Sequence, residues 1–144
     1  MSKFQSSDNL CDISLPNVFY KLVVRISKSL DIPTDNVFLQ ILDQDCGGKI
    51  VAHYDTAIDG YINYKCNISI LSDNYTLYVD KSKIDVSCGD LYAFEASLYK
   101  HWTDEFKSRR IILSYGFGLT YEQLGRVESD PRVRLSKRIE RYFQ

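Results

Sequence analysis

The whole chain contains two histidines, His53 and His101, so the surroundings of each carry weight. His53 opens the run His53-Tyr54-Asp55 at the end of a β-branched stretch. On an extended backbone side chains alternate, which puts His53 and Asp55 on one face and Tyr54 on the other. Two donors on one face can hold one metal ion, and His101 would supply a third. Two imidazoles and one carboxylate leave adjacent coordination positions open, the donor set that suits a non-haem Fe(II) centre. The four cysteines, at positions 11, 46, 66 and 88, are spaced too widely for a zinc knuckle or a Cys-x-x-Cys redox pair and read as reduced thiols.

The elements that must position these residues follow from periodicity. Residues 1–13 lack a clear period and read as a loosely held arm. Ser14 can cap a helix with Pro16 in its first turn, and Phe19, Leu22, Val23, Ile26 and Leu30 recur at helical spacing, which predicts a helix over about 15–31. After Pro33-Thr34-Asp35-Asn36 the chain turns to short β-branched and aromatic runs: 37–42, 49–53, 61–71, 75–79, 90–95 and 110–117. Several short strands without βαβ spacing predict a mainly β fold, an antiparallel sandwich or jelly-roll barrel with helices outside it. Thr120 with Gln123 forms a capping box for a short helix, and Ser129-Asp130-Pro131 opens a last helix with Leu135, Ile139 and Phe143 on one side.

Composition bounds the reading. A chain of 144 residues, 44% hydrophobic and 26% charged, is expected to form one domain, with a core over about 37–118 and a helical tail over 120–144. No apolar run approaches the roughly 20 residues of a membrane span, and the start lacks the pattern of a signal peptide, so an intracellular protein without a membrane partner is expected. The net charge of −1 hides an asymmetry: residues 1–104 carry 9 Lys and Arg against 14 Asp and Glu, and residues 105–144 carry 9 against 5. The basic tail, with Arg132, Arg134, Lys137, Arg138 and Arg141, reads as a solvated helix face.

One ordered series remains: His-x-Asp, several strands, Gly89-Asp90-Leu91-Tyr92-Ala93-Phe94, His101, then Arg109-Arg110 leading into Ile111-Ile112-Leu113-Ser114-Tyr115. That order resembles the Fe(II)/2-oxoglutarate-dependent oxygenase superfamily over about residues 37–118, distantly its AlkB-like and prolyl-hydroxylase-like members. The resemblance implies a double-stranded β-helix core. It makes His53, Asp55 and His101 the iron ligands and an arginine about nine residues after the distal His the anchor for the far carboxylate of 2-oxoglutarate. A planar guanidinium suits that role because it grips a carboxylate through two parallel hydrogen bonds. Strand parity favours Arg110, which shares a face with Ile112 and Ser114, over Arg109, which shares the more apolar face of Ile111, Leu113 and Tyr115; a bulge would reverse the choice. Tyr61, Tyr64, Asn67 and Ser69, on the strand after the first ligand pair, are further candidates for co-substrate contacts, with Ser114 beside Arg110. Trp102 reads as an ordinary core or rim aromatic.

The resemblance further implies Fe(II), 2-oxoglutarate and O2 as cofactor and co-substrates, with succinate and CO2 as co-products of hydroxylation, or of demethylation where the hydroxylated carbon is bonded to nitrogen. A small-molecule or peptidyl substrate is favoured over nucleic acid. The second Arg of AlkB-type demethylases, six residues on, falls at Gly116, little chain precedes the core to form a nucleotide lid, and the core half is acidic. Prolyl-hydroxylase-like enzymes usually carry Lys at the anchor, which departs from the Arg here. The alternatives are an AlkB-type nucleic-acid demethylase and a jelly-roll binding module without turnover. A homodimer is compatible with so little covering outside the barrel.

Overall fold

The computed structural model describes residues 17–127 in full and residues 133–138 as backbone. The first helix, α1 (Asn17–Leu30), buries Leu22, Val23, Ile26 and Leu30. Ser14 and Pro16, the residues expected to open it, and the expected arm before them lie outside the described residues. The helix ends where Asp31 turns left-handed at φ 53° and Ile32 N–H bonds back to the Ser27 carbonyl at 3.1 Å. Asp visits that region more easily than bulkier residues because its short side chain bonds locally.

The strands β1 (Val37–Gln44), β2 (Ile62–Leu71), β3 (Tyr75–Val79), β4 (Ser82–Val86), β5 (Asp90–Glu95), β6 (His101–Thr103), β7 (Arg110–Leu119) and β8 (Val133–Arg138) form two antiparallel sheets. Their orders are β1-β7-β2-β5-β8 and β4-β3-β6. This is the expected jelly-roll core, with α1 at its start and the short α2 (Tyr121–Val127) after β7. Thr120 and Gln123 cap α2 reciprocally, at 2.9 and 3.1 Å, as the capping-box spacing predicts. Among the described residues no helix is long and apolar enough to cross a membrane.

Strand parity divides the larger sheet into two chemistries. On one face Leu39, Tyr115, Cys66 and Ala93 stand in register as a buried row, packed with Leu22, Val23 and Ile26 of α1. Burying such aliphatic side chains contributes about 1.5–3 kcal/mol each, which fixes this face as the one under the helix. On the other face the successive rows are Phe38-Gly116-Lys65-Phe94 and Gln40-Ser114-Asn67-Tyr92, with Gln44 opposite Arg110. That face looks into the barrel. Its apolar part, Tyr92, Phe94 and Ala96, packs on Leu77, Val79, Ile84 and Val86 of the smaller sheet, and its polar part is left to line a cavity.

Two expectations are corrected. The segment beginning at Ser129 was expected to be a helix with Leu135, Ile139 and Phe143 on one side, yet residues 133–138 form β8, paired with β5 through Phe94↔Val133, Ala93↔Arg134 and Tyr92↔Leu135. Without β8, the buried strand β5 would end the sheet with a row of unsatisfied backbone groups. Arg134, Lys137 and Arg138 therefore stand on a strand, not a helix face; Arg132, Arg141 and the residues after 138 lie outside the described residues. The predicted strand over 49–53 is not a continuous one: it meets β6 at the His53↔His101 bridge and through Thr103 N–H to the Ile50 carbonyl at 3.1 Å.

Candidate metal centre

His53 and His101 exchange both backbone hydrogen bonds, at 3.2 and 3.0 Å, across their isolated bridge. Residues directly opposite in an antiparallel pair project to the same side, so the bridge brings together two imidazoles 48 positions apart in sequence, with ring centroids 4.4 Å apart. Asp55 follows His53 at the two-residue spacing, held where its N–H donates to the Ala96 carbonyl at 2.9 Å. The side chain of His101 is 5% exposed, that of Asp55 11% and that of His53 42%. The site is thus closed below and open on the His53 side.

Hydrogen bonding sets which ring nitrogen is available. His53 Nδ1 lies 2.7 Å from the Val51 carbonyl and His101 Nδ1 lies 3.0 Å from that of Tyr99, in each case two residues upstream. A carbonyl only accepts, so both Nδ1 atoms donate and both Nε2 atoms of the neutral rings carry lone pairs. Those Nε2 atoms converge on one oxygen, Asp55 Oδ1, at 3.0 and 3.1 Å. Two lone pairs and a carboxylate oxygen at that separation repel unless a cation, a proton or a metal, lies among them. The three donor atoms all fall within 4.8 Å of one another. Adjacent donors on an octahedral ion with bonds of about 2.1 Å stand about 3.0 Å apart, the separation at which each Nε2 stands from Asp55 Oδ1. Carbonyl-bound Nδ1 atoms are also the outer partners that orient metal-binding histidines.

Lys65 on β2 is a site residue that the sequence reading missed. Its ammonium pairs with Asp55 Oδ2, the oxygen the histidines leave free, and its side chain is 13% exposed. Burial works to raise the Asp55 carboxyl, but a hydrogen bond donated from His101 when Nε2 carries the proton, together with the Lys65 charge, outweighs it and holds the group well below the usual carboxylate range. The Phe94 ring meets His101 edge-on, with centroids 4.9 Å apart, closing the floor of the site. Thr103, next to the bridge, accepts the Ile50 N–H at 3.0 Å and ties down the segment leading to His53. Thr103→Val is expected to cost about 1–3 kcal/mol in urea unfolding, because the Ile50 N–H loses its acceptor with little change in side-chain volume. Stability within about 0.3 kcal/mol of the parent would show that the segment is held elsewhere.

The triad opens into a cavity of about 560 Å³ lined by His53, Asp55, Lys65, Gln40, Gln44 and Ser114 among others. Ser114 is 1% exposed and its Oγ has no hydrogen-bond partner among the described residues; Asn67, opposite it in register, donates to the Tyr92 hydroxyl at 3.2 Å, while its Oδ1 has no partner among them. Buried polar atoms without partners are uncommon, and here two stand in one cross-strand pair between the triad and Arg110. Arg110 is 4% exposed and points into the barrel; Arg109 points outward and forms a bidentate pair with Asp43 at 2.9 and 2.6 Å. Arg110 does not line the larger cavity. It lines a separate one of about 170 Å³, and its Nε–H donates at 2.9 Å to Gln44, which lines the larger cavity.

The other candidates fall elsewhere. Tyr64, expected as a co-substrate contact, is corrected by parity: it stands opposite Phe117 on the helix-facing side of β2, fully buried in the outer core. Tyr61 is exposed, and Ser69 bonds Ser72 at 2.7 Å. Trp102 stacks on its cross-strand partner Tyr78 with centroids 5.4 Å apart, as a rim aromatic.

No protein-family model matches the chain, and no curated protein matches it. Among solved structures it is similar to a prolyl-4-hydroxylase of Pseudomonas putida, at 14% identity and a TM-score of 0.54, covering 76% of this chain and 69% of that one. It is also similar to a cupin protein of Bacteroides fragilis, at 16% identity and a TM-score of 0.47, covering 67% of this chain and 75% of that one. At 14% identity the likeness to the prolyl-4-hydroxylase is one of fold, a jelly-roll core.

Proposed function

We propose that the chain is an Fe(II)- and 2-oxoglutarate-dependent dioxygenase that hydroxylates a small-molecule or peptidyl substrate, releasing succinate and CO2. The observation that carries this reading is the convergence of two imidazole Nε2 atoms on Asp55 Oδ1, each ring fixed through Nδ1 on a backbone carbonyl. His53, Asp55 and His101 would hold the metal, and Lys65 would keep Asp55 turned so that one oxygen is offered and the other neutralised. A bound Fe(II) supplies the redox chemistry that O2 activation requires.

The remaining residues bind and orient. Lys65 and a divalent ion against one carboxylate leave the inner cavity positive, which favours a dianionic co-substrate. Ser114 Oγ offers a hydroxyl along the way, and Arg110 a guanidinium that no carboxylate of the described residues pairs. The substrate would enter on the His53 side, between β1 and the loop after Asp55. A nucleic-acid substrate is less favoured because Asp35 and Asp59 line that opening and would repel phosphates.

The test is an anaerobic titration of the protein with Fe(II) and 2-oxoglutarate, which needs no substrate. A weak visible charge-transfer band, saturating with both components and absent from His53→Ala, is expected. No band and no retained iron would overturn the reading in favour of a binding module.

A further inference from the structure

Two glycines of β7 shape the rim of the larger cavity. A β-carbon at Gly116 would stand 2.8 Å from Asn63 Oδ1 and 3.1 Å from the Ile58 side chain, and one at Gly118 would stand 3.1 Å from Asn36 and 3.3 Å from Ile58 and Tyr61. Glycine at both positions lets the turn after Asp55 and the residue before β1 lie closer to the strand than a side chain would allow. The Gly118 N–H also donates to the Asn36 carbonyl at 2.8 Å. The turn itself is tight: Ile58 and Tyr61 exchange both backbone hydrogen bonds, at 3.0 and 2.8 Å, around Asp59 and Gly60, which are left-handed at φ 47° and 82°. Packing on one strand thus brings Asp59 and Asp35, 24 positions apart, to one cavity. Both are exposed, and neither forms an ion pair among the described residues.

Rim carboxylates alone are solvated charges, but the wall beside them is short of a donor. Asn63 lines the same cavity and is 9% exposed. Its Nδ2 donates to the Thr56 carbonyl at 3.1 Å, which fixes the amide with Oδ1 turned onto Gly116, and no group of the described residues donates to that oxygen. Lys65, in register with Gly116, carries a positive charge beside the triad. With a divalent ion bound, the inner end of the cavity is positive and the rim negative, a gradient that turns a charged ligand one way round.

We propose that the substrate is a small organic cation, an amine whose ammonium lies at Asp35 and Asp59, whose hydroxyl or amide N–H reaches Asn63 Oδ1, and whose uncharged C–H faces the triad. The inference rests on the oxygenase reading and names the substrate class of that site. A cavity of about 560 Å³ has the size of a small-molecule pocket. An ammonium entering first would meet Lys65 and the metal, so the charged end stays at the rim.

The probes are α,ω-amino alcohols of three to six carbons, with the diols and the alkylamines of equal length as controls. Their affinities are measured by calorimetry on protein loaded anaerobically with Fe(II) and 2-oxoglutarate. At the best length the parent should bind the amino alcohol about tenfold or more tightly than the diol, the scale of a charge-assisted hydrogen bond, and added salt should shrink that preference. The Asp35→Asn/Asp59→Asn double variant should erase it, and asparagine tolerates the left-handed backbone at position 59, so the turn is kept. Asn63→Ala should bring the amino alcohol down to the affinity of the alkylamine while leaving the alkylamine unchanged. If that variant does not fold, tighter binding of the amino alcohol than of the alkylamine by the parent reads the same contact. Equal binding of amino alcohol and diol by the parent, or a preference that survives the double variant, would overturn the inference while the charge-transfer band still upholds the oxygenase reading. A parent without the band removes that reading and this inference with it.

Discussion

His53→Ala is expected to lower Fe(II) affinity at least 100-fold while the protein stays folded. The loss of an outer partner of a metal site already costs about 10–100-fold, and the loss of a donor atom should exceed that. His53 is the cleanest of the three positions because its side chain is 42% exposed, so truncation leaves no cavity in the core. Asp55→Ala should also release the metal, but it strands the ammonium of Lys65, whose side chain is 13% exposed, without its partner. Breaking a buried pair from one side costs about 3–5 kcal/mol, so that variant confounds metal loss with unfolding. Adding Lys65→Met removes the stranded charge and should restore stability without restoring iron. Metal content after anaerobic loading and desalting, with thermal unfolding in parallel, reads both effects. Iron retained at parental affinity in both His53→Ala and the Asp55→Ala/Lys65→Met double variant would exclude the triad as the metal site.

Which parts of this arrangement the sequence discloses depends on how local each part is. The apolar spacing of α1, the alternation in β3 and the two faces of β7 are properties of single segments, and each stands where periodicity puts it. The strand β6 is only three residues long and exists because it pairs with β3 and meets His53, partners far away in sequence. The strand β4 holds only Ile84 and Val86 as apolar residues, and the turn before it carries Asp80 at φ 51° instead of the Asn-Gly or Asp-Gly pair that announces a tight hairpin. In β8 the helical spacing of Leu135, Ile139 and Phe143 competes with the two-residue alternation of Val133 and Leu135, and the need of β5 for a partner decides between them.

The candidate site divides in the same way. His53 and Asp55 share a face by spacing alone, whereas the approach of His101 needs the barrel to close. Lys65 escaped notice because a lysine within a strand usually marks a solvated position. Yet Lys65, Asn67 and Ser69 share one parity on a strand whose other parity is Tyr64, Cys66 and Ile68, and Asn67 and Ser69 are buried. A strand apolar on one face and polar but buried on the other is the local sign of a lined cavity. Tyr64 follows from the same rule read correctly: it belongs to the apolar parity and to the helix side.

Arg110→Met is expected to change stability and binding in opposite directions. Arg110 is 4% exposed, and no carboxylate of the described residues pairs with it. Burial of an uncompensated charge is costly, and Gln44 with two aromatic faces offsets only part of that cost. Replacing it by an apolar side chain of similar reach should leave the ligand-free protein equally stable or more stable, by up to about 1–4 kcal/mol. Affinity for 2-oxoglutarate should meanwhile fall by about 2–5 kcal/mol, because the far carboxylate loses its buried partner, and Fe(II) affinity should not move. Arg109→Met is the control: its pair with Asp43 is exposed, and such pairs contribute about 0–1 kcal/mol. Thermal unfolding of the ligand-free protein, set beside the charge-transfer titration, separates the outcomes. A residue kept for structure would lose stability on substitution and leave binding alone, whereas one kept for a ligand gains stability and loses binding. A fall in 2-oxoglutarate affinity confined to Arg109→Met would overturn the strand parity on which the assignment of Arg110 rests.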